Sequence, residues 1–241
     1  MQAIILAAGR GARLKPLTDS VPKPMVNFRG APLLEYTLSI LPSEIDHVIM
    51  IVGWLEEKIH DHFGDSFAGK RIDYVTQSEP RGTFHAITCA KSFLSEEPFL
   101  IVSGDDIYSA EDLKNVASSS SLSLLASHTD NPERFGICKT GESGCLLSIV
   151  EKPKTFCGNL ANIGVYKLDH QIFGESVAIG PNGEEVLALM IGTLASKTRI
   201  EVIPATLWHP IADLDDLARA QNLTIEVRPP AVEAVASIVR P

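Results

Sequence analysis

The stretch Ala3-Ile4-Ile5-Leu6-Ala7-Ala8-Gly9, close to the N-terminus, decides the fold class. A continuous apolar run that ends in glycine is typical of a strand buried on both faces of a parallel sheet. Strands and helices are predicted to alternate after it, in this order: helix Leu33–Leu41, strand His47–Val52, helix Trp54–Phe63, strand Arg71–Thr76, helix Thr83–Phe93 and strand Pro98–Val102. This alternation predicts an α/β fold with a mostly parallel sheet and helices on both faces.

The second half of the chain has a different pattern. A helix near Ala110–Ala117 is followed by closely spaced strands at Leu122–Ser127, Phe135–Thr140, Leu146–Glu151 and Ile163–Leu168. Such spacing predicts antiparallel or mixed pairing within the same sheet. The helix–strand–helix pattern then resumes over Glu184–Ala195, Arg199–Pro204 and Asp213–Glu226. We therefore predict a single domain over residues 1–226, followed by a C-terminal tail, 227–241, to which the pattern assigns no role.

Composition excludes several classes of protein. The 241 residues carry a net charge of −9, which argues against a general binder of nucleic acid or anionic membranes. We find no run of eighteen apolar residues and no signal peptide at the N-terminus. The four cysteines form no CxxC pair, so we expect a reduced, cytoplasmic protein. Residues 1–30 nevertheless hold five Lys or Arg side chains against Asp19 alone, which indicates an anion site or a solvated basic loop.

The loop that follows the first strand is the first place to look for a ligand, because open α/β sheets bind ligands at the carboxyl ends of their strands. Leu14 stands where a dinucleotide-binding fingerprint needs its third glycine, and Lys15-Pro16 breaks the phosphate-cradling P-loop pattern. What remains is a glycine-rich turn whose amides can face phosphate oxygens, with Arg13 and Lys23 as cations. The loop therefore predicts an anion site.

Three consecutive pieces of sequence carry a resemblance to a known family: Leu6-Ala7-Ala8-Gly9-Arg10-Gly11-Ala12-Arg13-Leu14, Pro16-Leu17-Thr18 and Pro22-Lys23-Pro24-Met25. Together they resemble the signature of the sugar-1-phosphate nucleotidyltransferases, which include the glucose-1-phosphate thymidylyltransferases and uridylyltransferases. The similarity continues to about Leu217. It implies a Rossmann-like three-layer α/β/α domain with a mixed, mostly parallel central sheet, of the nucleotide-diphospho-sugar transferase type. It also implies transfer of NMP from an NTP to a sugar 1-phosphate, giving an NDP-sugar and pyrophosphate.

The resemblance divides the domain into a nucleotide-binding part at about 1–110 and a sugar-phosphate-binding part at about 111–226. In the first part it assigns the following roles. Arg13 and Lys23 match the catalytic cations. Gln77 matches the residue that reads a pyrimidine edge, which an amide can do as donor and acceptor, so UTP or dTTP is favoured. We expect His85 to be a helix-surface residue. The nucleotide-binding positions are Leu6, Ala8, Gly9, Gly11, Gln77, Gly82 and Thr83.

Sugar-phosphate and metal positions follow in the expected order. Asp105, after an apolar strand and Gly104, matches the metal ligand, and a carboxylate there can hold a Mg²⁺ cofactor together with substrate phosphates. We expect its neighbour Asp106 to cap the next helix. Two further stretches, Glu151-Lys152-Pro153 and Ala161-Asn162-Ile163-Gly164, resemble the sugar-phosphate site; their matching residues are Glu151, Lys152, Asn162 and Gly164.

The chain departs from the family near its end. The family's second metal-ligating Asp lies in a Trp-x-Asp-Ile-Gly-Thr stretch, and the matching residues are Trp208-His209-Pro210-Ile211-Ala212-Asp213. Pro210 occupies the position of that Asp. Three explanations stay open: Asp213 or His209 substitutes for it, Asp105 and substrate oxygens hold the metal alone, or the protein is a weakened, non-catalytic regulatory homologue.

Other functions remain as alternatives. A cytidylyltransferase that acts on an alcohol phosphate, such as phosphocholine or an inositol phosphate, would show a related pattern. A dinucleotide-dependent oxidoreductase is disfavoured by Leu14. The sequence leaves the sugar and the oligomeric state open, including a homo-oligomer. We expect NTP and sugar 1-phosphate as partners, no nucleic acid or membrane, and no appended left-handed β-helix domain.

Overall fold

The computed structural model describes residues 1–225, so Glu226 and the predicted tail 227–241 lie outside the described residues. Its strands are β1 (Gln2–Leu6), β2 (Asn27–Phe28), β3 (Ala31–Pro32), β4 (His47–Val52), β5 (Ser66–Phe67), β6 (Lys70–Thr76), β7 (Phe99–Ser103), β8 (Asp106–Tyr108), β9 (Leu122–His128), β10 (Gly136–Thr140), β11 (Leu146–Glu151), β12 (Leu160–Leu168), β13 (Ile200–Pro204) and β14 (Trp208–Pro210). Its α-helices are α1 (Leu33–Ser39), α2 (Glu56–Phe63), α3 (Thr83–Cys89), α4 (Ala110–Ser118), α5 (Leu187–Leu194) and α6 (Leu214–Ala220).

The centre of the fold is a ten-stranded sheet in the order β11-β10-β12-β7-β1-β4-β6-β5, with β9 joined to β12 and β13 joined to β9. Strand β1 lies between β4 and β7 and is parallel to both. Because strand side chains alternate between faces, Ile4 packs into the core on one side of the sheet and Ile5 into the core on the other. The apolar first strand is therefore buried on both faces, and the predicted α/β architecture is confirmed.

The second half of the chain extends the same sheet by antiparallel pairing. Strand β12 runs antiparallel to β7, β9 and β10, and β13 is parallel to β9. The mixed pairing predicted for this half is confirmed. The two predicted parts of the domain thus share one continuous sheet.

Several helices are shorter than the sequence predicts. The helix predicted at Glu184–Ala195 is α5, which begins only at Leu187, because the Glu185 carbonyl, needed as an acceptor within a helix, accepts instead from the Phe84 amide at 3.0 Å. The predicted helix at Thr83–Phe93 ends at Cys89 and is followed by a separate 3₁₀ turn, Lys91–Phe93. Helix α6 begins after Asp213, whose carboxylate caps it by accepting from the Asp216 amide at 2.9 Å.

A small two-stranded sheet, β8 with β14, is absent from the sequence-based prediction, because three-residue strands are too short to show a period. The two strands are antiparallel, with Pro210 opposite Asp106. Asp112 in α4 holds the approach to β14: its carboxylate accepts from the Thr206 amide at 2.8 Å, the Thr206 hydroxyl at 2.9 Å and the Leu207 amide at 3.1 Å. This buried carboxylate fixes β14 against β8.

The α-helices of residues 1–225 are all too short or too polar to cross a lipid bilayer.

We predict that Asp112→Ala lowers the free energy of unfolding by about 2–4 kcal/mol, because two backbone amides lose their buried acceptor. Urea unfolding measures the change. Glu111→Ala is the matched control, since the neighbouring Glu111 is exposed and lies 3.9 Å from Lys114, and it should change stability by less than about 0.5 kcal/mol. Equal losses in the two variants would contradict the assigned role.

Candidate active site

The loops that leave β1, β6 and β7 at their carboxyl ends surround two adjoining cavities. Leu6 and Ser103, the last residues of β1 and β7, line both cavities and form their common floor. Because these two strands are parallel neighbours, the cavities open at the sheet edge where α/β proteins bind ligands.

The first cavity has a volume of about 380 Å³ and contains most of the predicted nucleotide-binding positions. Its lining includes the backbone of the loop after β1, the end of β6 and the start of α3. The predicted residues in its wall are Leu6, Ala8, Gly9, Gln77, Gly82, Thr83 and Asp105. Arg10 also lines this cavity, and its guanidinium stacks over Trp54 at 4.1 Å from the ring centroid.

The second cavity has a volume of about 280 Å³ and contains all four predicted sugar-phosphate positions: Glu151, Lys152, Asn162 and Gly164. Sequence reasoning missed Arg134, Phe135 and Gly136, which line the same cavity. The proline-led turn at 132–134, directly before β10, was the available signal for them. Arg134 adds a second cation to a wall that already carries Lys152.

Lys23 and Asp105 form the main charge pair of the site, with Lys23 Nζ 2.6 Å from a carboxylate oxygen of Asp105. Burial by itself would lower the pKa of Lys23, but the negative charges of Asp105 and Asp106 outweigh burial and the nearby Arg13, and the pKa is raised. The ammonium group is therefore held in its charged form at the carboxyl end of β7. This pairing brings together two residues that are 82 positions apart in the sequence.

The loop between β1 and β2 places Lys23 and Arg13 differently. Gly11 has a φ of 67°, and a Cβ there would lie 2.7 Å from the Cβ of Lys23, so glycine lets the Lys23 stem pack against the turn. Arg13 lies in the exposed 3₁₀ turn Ala12–Leu14 and lines neither cavity in the described part of the chain. The structure thus brings Lys23 to Asp105, while Arg13 stays on the outer side of the loop.

Asp106 does not cap the following helix, so that expectation was wrong. The residue at the N-terminus of α4 is Ser109, and the Asp106 carboxylate instead accepts from Trp208 Nε1 and the Ile211 amide, each at 3.1 Å. The reason is tertiary: β14 pairs with β8 and brings two donors to Asp106. Burial, then the adjacent charge of Asp105, raises the pKa of Asp106 to about 6.

The residues considered for a second metal ligand have other partners. Pro210 lies opposite Asp106, Asp213 caps α6 and lies 3.9 Å from Arg134, and His209 Nε2 lies 2.8 Å from the Asp216 carbonyl. Within residues 1–225, no three His, Cys, Asp or Glu side chains are grouped for metal binding. Asp105, with Asp106 beside it, is left as the carboxylate group at the junction of the cavities.

A segment that we call the strap, residues 180–187, forms a wall common to both cavities. Its backbone is joined to the start of α3: the Phe84 amide donates to the Glu185 carbonyl at 3.0 Å, and the Leu187 amide donates to Thr83 Oγ1 at 3.0 Å. Arg81 and Glu185 add an ion pair. Glu184 of the strap lines both cavities. The shape of one cavity is therefore tied to the shape of the other.

The wall of the second cavity combines the half-buried carboxyl group of Glu151 with the fixed side-chain amide of Asn162. Burial raises the pKa of Glu151, against the opposing charge of Lys152, whose Nζ lies 3.8 Å from Glu151 Oε1. Asn162 Nδ2 donates to the Tyr166 hydroxyl at 2.7 Å, across a register shift in β12. This wall offers acceptors and donors to a polyhydroxylated ligand.

Comparison with known proteins identifies the family. The model of the nucleotidyl transferase family matches residues 2–227. This chain belongs to the nucleotidyl transferase family. It is 35% identical over 229 residues to the bifunctional protein GlmU of Methanococcus maripaludis, covering 92% of this chain and 54% of that protein. The chain thus spans about half the length of the GlmU proteins it matches.

Two further comparisons cover nearly whole proteins. UTP–glucose-1-phosphate uridylyltransferase AglF of Haloferax volcanii is 31% identical over 87% of this chain and 90% of its own length. A crystal structure of UDP-glucose pyrophosphorylase with UDP-glucose superposes with a TM-score of 0.80 at 21% identity, covering 92% of this chain and 97% of that one. The superposition with UDP-glucose pyrophosphorylase confirms the Rossmann-like fold of this nucleotidyltransferase.

We predict that Gly82→Ala destabilises the protein by about 2–4 kcal/mol, because Gly82 has a φ of 118° and an added Cβ would collide with the Glu185 backbone of the strap. Gly69→Ala is the matched control: Gly69 also has a positive φ, of 76°, but an added Cβ meets nothing within 4 Å. That variant should lose about 1 kcal/mol, from backbone strain alone. Urea unfolding compares them, and a loss at Gly82 no larger than at Gly69 would contradict the close approach.

Proposed function

We propose that this nucleotidyltransferase transfers the nucleoside monophosphate of UTP or dTTP to a sugar 1-phosphate, with release of pyrophosphate. The meeting of the two cavities over Leu6 and Ser103, beside the Lys23–Asp105 pair, carries the proposal. A nucleotide in the first cavity and a sugar phosphate in the second would bring their phosphates to the same cation. The uridylyltransferase relative, similar over most of its length, supports a uridine nucleotide.

In the proposed reaction, an oxygen of the sugar phosphate attacks the α-phosphorus of the NTP, a new P–O bond forms, and the bond to pyrophosphate breaks. The nucleophile is already an anion, so the reaction needs no general base. Catalysis then consists of positioning and electrostatic stabilisation. Lys23 stabilises charge at the α-phosphate, Arg13 at the leaving pyrophosphate, and Lys152 attracts the incoming phosphate.

The residues at the junction fit a Mg²⁺ ion. Magnesium takes one or two carboxylates and shares oxygens with substrate phosphates, and Asp105 with its neighbour Asp106 supplies such donors. The ammonium of Lys23 already lies 2.6 Å from Asp105, so the carboxylate attracts positive charge. We propose that Asp105 and the substrate phosphates hold the ion, because Asp213 caps α6 and Pro210 has no ligand atom. When bound, Mg²⁺ neutralises charge on the triphosphate.

The proposal includes a cytoplasmic location. All four cysteines, Cys89, Cys138, Cys145 and Cys157, are free thiols, and Cys138 is buried. Burial raises the pKa of the Cys138 thiol to about 12, which keeps it unreactive. Free thiols are usual in a reducing compartment.

A pyrophosphate-release screen tests the proposed function. Five nucleotides, ATP, GTP, CTP, UTP and dTTP, are combined with a panel of sugar 1-phosphates, and with phosphocholine and an inositol phosphate, in the presence of Mg²⁺. We expect turnover with UTP or dTTP. Nucleotide binding without pyrophosphate release would instead favour a regulatory homologue, in line with Pro210. Turnover of CTP with phosphocholine or an inositol phosphate alone would indicate the cytidylyltransferase.

We predict that Lys23→Ala and Arg13→Ala each lower kcat by about 10²–10³-fold, because each removes a cation that stabilises the transition state. Lys15→Ala is the matched control: Lys15 lies in the same loop but is exposed and pairs with Asp19 at 3.0 Å. Steady-state kinetics and circular dichroism follow activity and fold. A wild-type kcat in Arg13→Ala would contradict the role of Arg13, because it would show that the Arg13 side chain stays exposed and away from the pyrophosphate during turnover.

A second prediction concerns the metal. Asp105→Asn should weaken Mn²⁺ binding in the presence of UTP by at least about tenfold, because a charged oxygen ligand is lost. Electron paramagnetic resonance of Mn²⁺, used as the probe, measures the affinity without turnover. Asp19→Asn, an exposed carboxylate in the loop after β1, is the control and should leave Mn²⁺ binding unchanged. Unchanged affinity in Asp105→Asn would exclude Asp105 as the ligand.

A further inference from the structure

The side-chain amide of Gln77 is held in one orientation. Its Nε2 donates to the Gly82 carbonyl at 3.0 Å and lies 3.1 Å from Nδ1 of His85. An amide nitrogen carries two hydrogens and no lone pair, so both partners must act as acceptors. The amide nitrogen is thereby fully used within the protein.

This arrangement determines the tautomer of His85, that is, which ring nitrogen carries the proton. Because Nδ1 accepts from Gln77, the ring proton lies on Nε2, which is 3.9 Å from the sulfur of Cys89. His85 is carried by α3, whose residues Phe84, Ala86 and Ile87 are packed in the core, whereas Gly82 belongs to the loop before that helix. His85 is therefore held in place by a packed helix, and Gly82 by its close approach to the Glu185 backbone.

The oxygen of the same amide, unlike the nitrogen, has no hydrogen-bond partner among the described residues 1–225. Gln77 also lines the first cavity. The residue therefore presents an acceptor and withholds its donor. Uracil and thymine carry an N–H at the ring position where cytosine has only an acceptor nitrogen, so a fixed acceptor pairs with the first two bases and repels the third.

We propose that His85 is a positioning residue for base selection: it locks the Gln77 amide so that the cavity accepts from a uracil or thymine N–H and discriminates against cytosine. The inference deepens the proposed function and rests on Gln77 facing the base. It corrects the expectation that His85 is only a helix-surface residue. Without His85, the amide nitrogen keeps only the Gly82 carbonyl as a partner, so the amide turns over more readily and can offer its N–H₂ group to cytosine.

Base selectivity in two variants tests this role. We expect His85→Leu to lower the ratio of kcat/KM for UTP to that for CTP by at least about tenfold, mainly through a higher KM for UTP. His85→Gln should keep most of the wild-type ratio that His85→Leu loses, because the side-chain oxygen introduced at position 85 can accept from Gln77. His60→Leu, the same substitution on the exposed surface of α2, is the control and should leave the ratio unchanged.

Two measurements without turnover keep the inference separate from the proposed function. Long-range ¹H–¹⁵N NMR of the imidazole should show the Nε2–H tautomer for His85, and calorimetry should give tighter binding of UTP than CTP in wild type and a reduced preference in His85→Leu. An Nδ1–H tautomer, or an unchanged preference in His85→Leu, would overturn the inference. Equal losses in the Leu and Gln variants would also overturn it. If these results hold and no sugar phosphate is turned over, the proposed function fails while the role of His85 stands.

Discussion

The parallel pairing of β1 between β4 and β7 is the constraint on which the rest of the structure depends. It requires a strand that is apolar on both faces, since one face packs into each of the two cores. Parallel strands also end at the same edge of the sheet. The loops after β1, β6 and β7 must therefore meet, and the site lies where they do.

Charge at that edge is concentrated by distant parts of the chain. Lys23 comes from the loop after β1 and Asp105 from the end of β7, and their pairing places a cation beside Asp105, which lines the first cavity. Arg134, in the turn before β10, and Lys152, directly after β11, bring positive charge to the second cavity. A chain with a net charge of −9 thus gathers cations at one edge.

The strap connects the walls of the two cavities. Its extended backbone bonds to the loop before α3, and Glu184 lines both sides. Helix α5 therefore begins at Leu187, later than predicted, since the Glu185 carbonyl accepts from Phe84 and is not available to the helix. The same competition explains Asp106, where donors from Trp208 and Ile211 replaced the expected helix cap. Local sequence contains no information about such remote partners.

The sequence by itself determined the alternation of strands and helices and the glycine-rich loop, because apolar runs and local turn chemistry depend on neighbours along the chain. Gln77, Asp105 and Glu151 were chosen from the resemblance of their motifs to those of the family. Only the tertiary structure decided which side chains meet: the pairing of Lys23 with Asp105, the position of Arg134, the placing of Pro210 opposite Asp106 and the contact of His85 with Gln77. These contacts depend on the packing of distant elements, which no local pattern encodes.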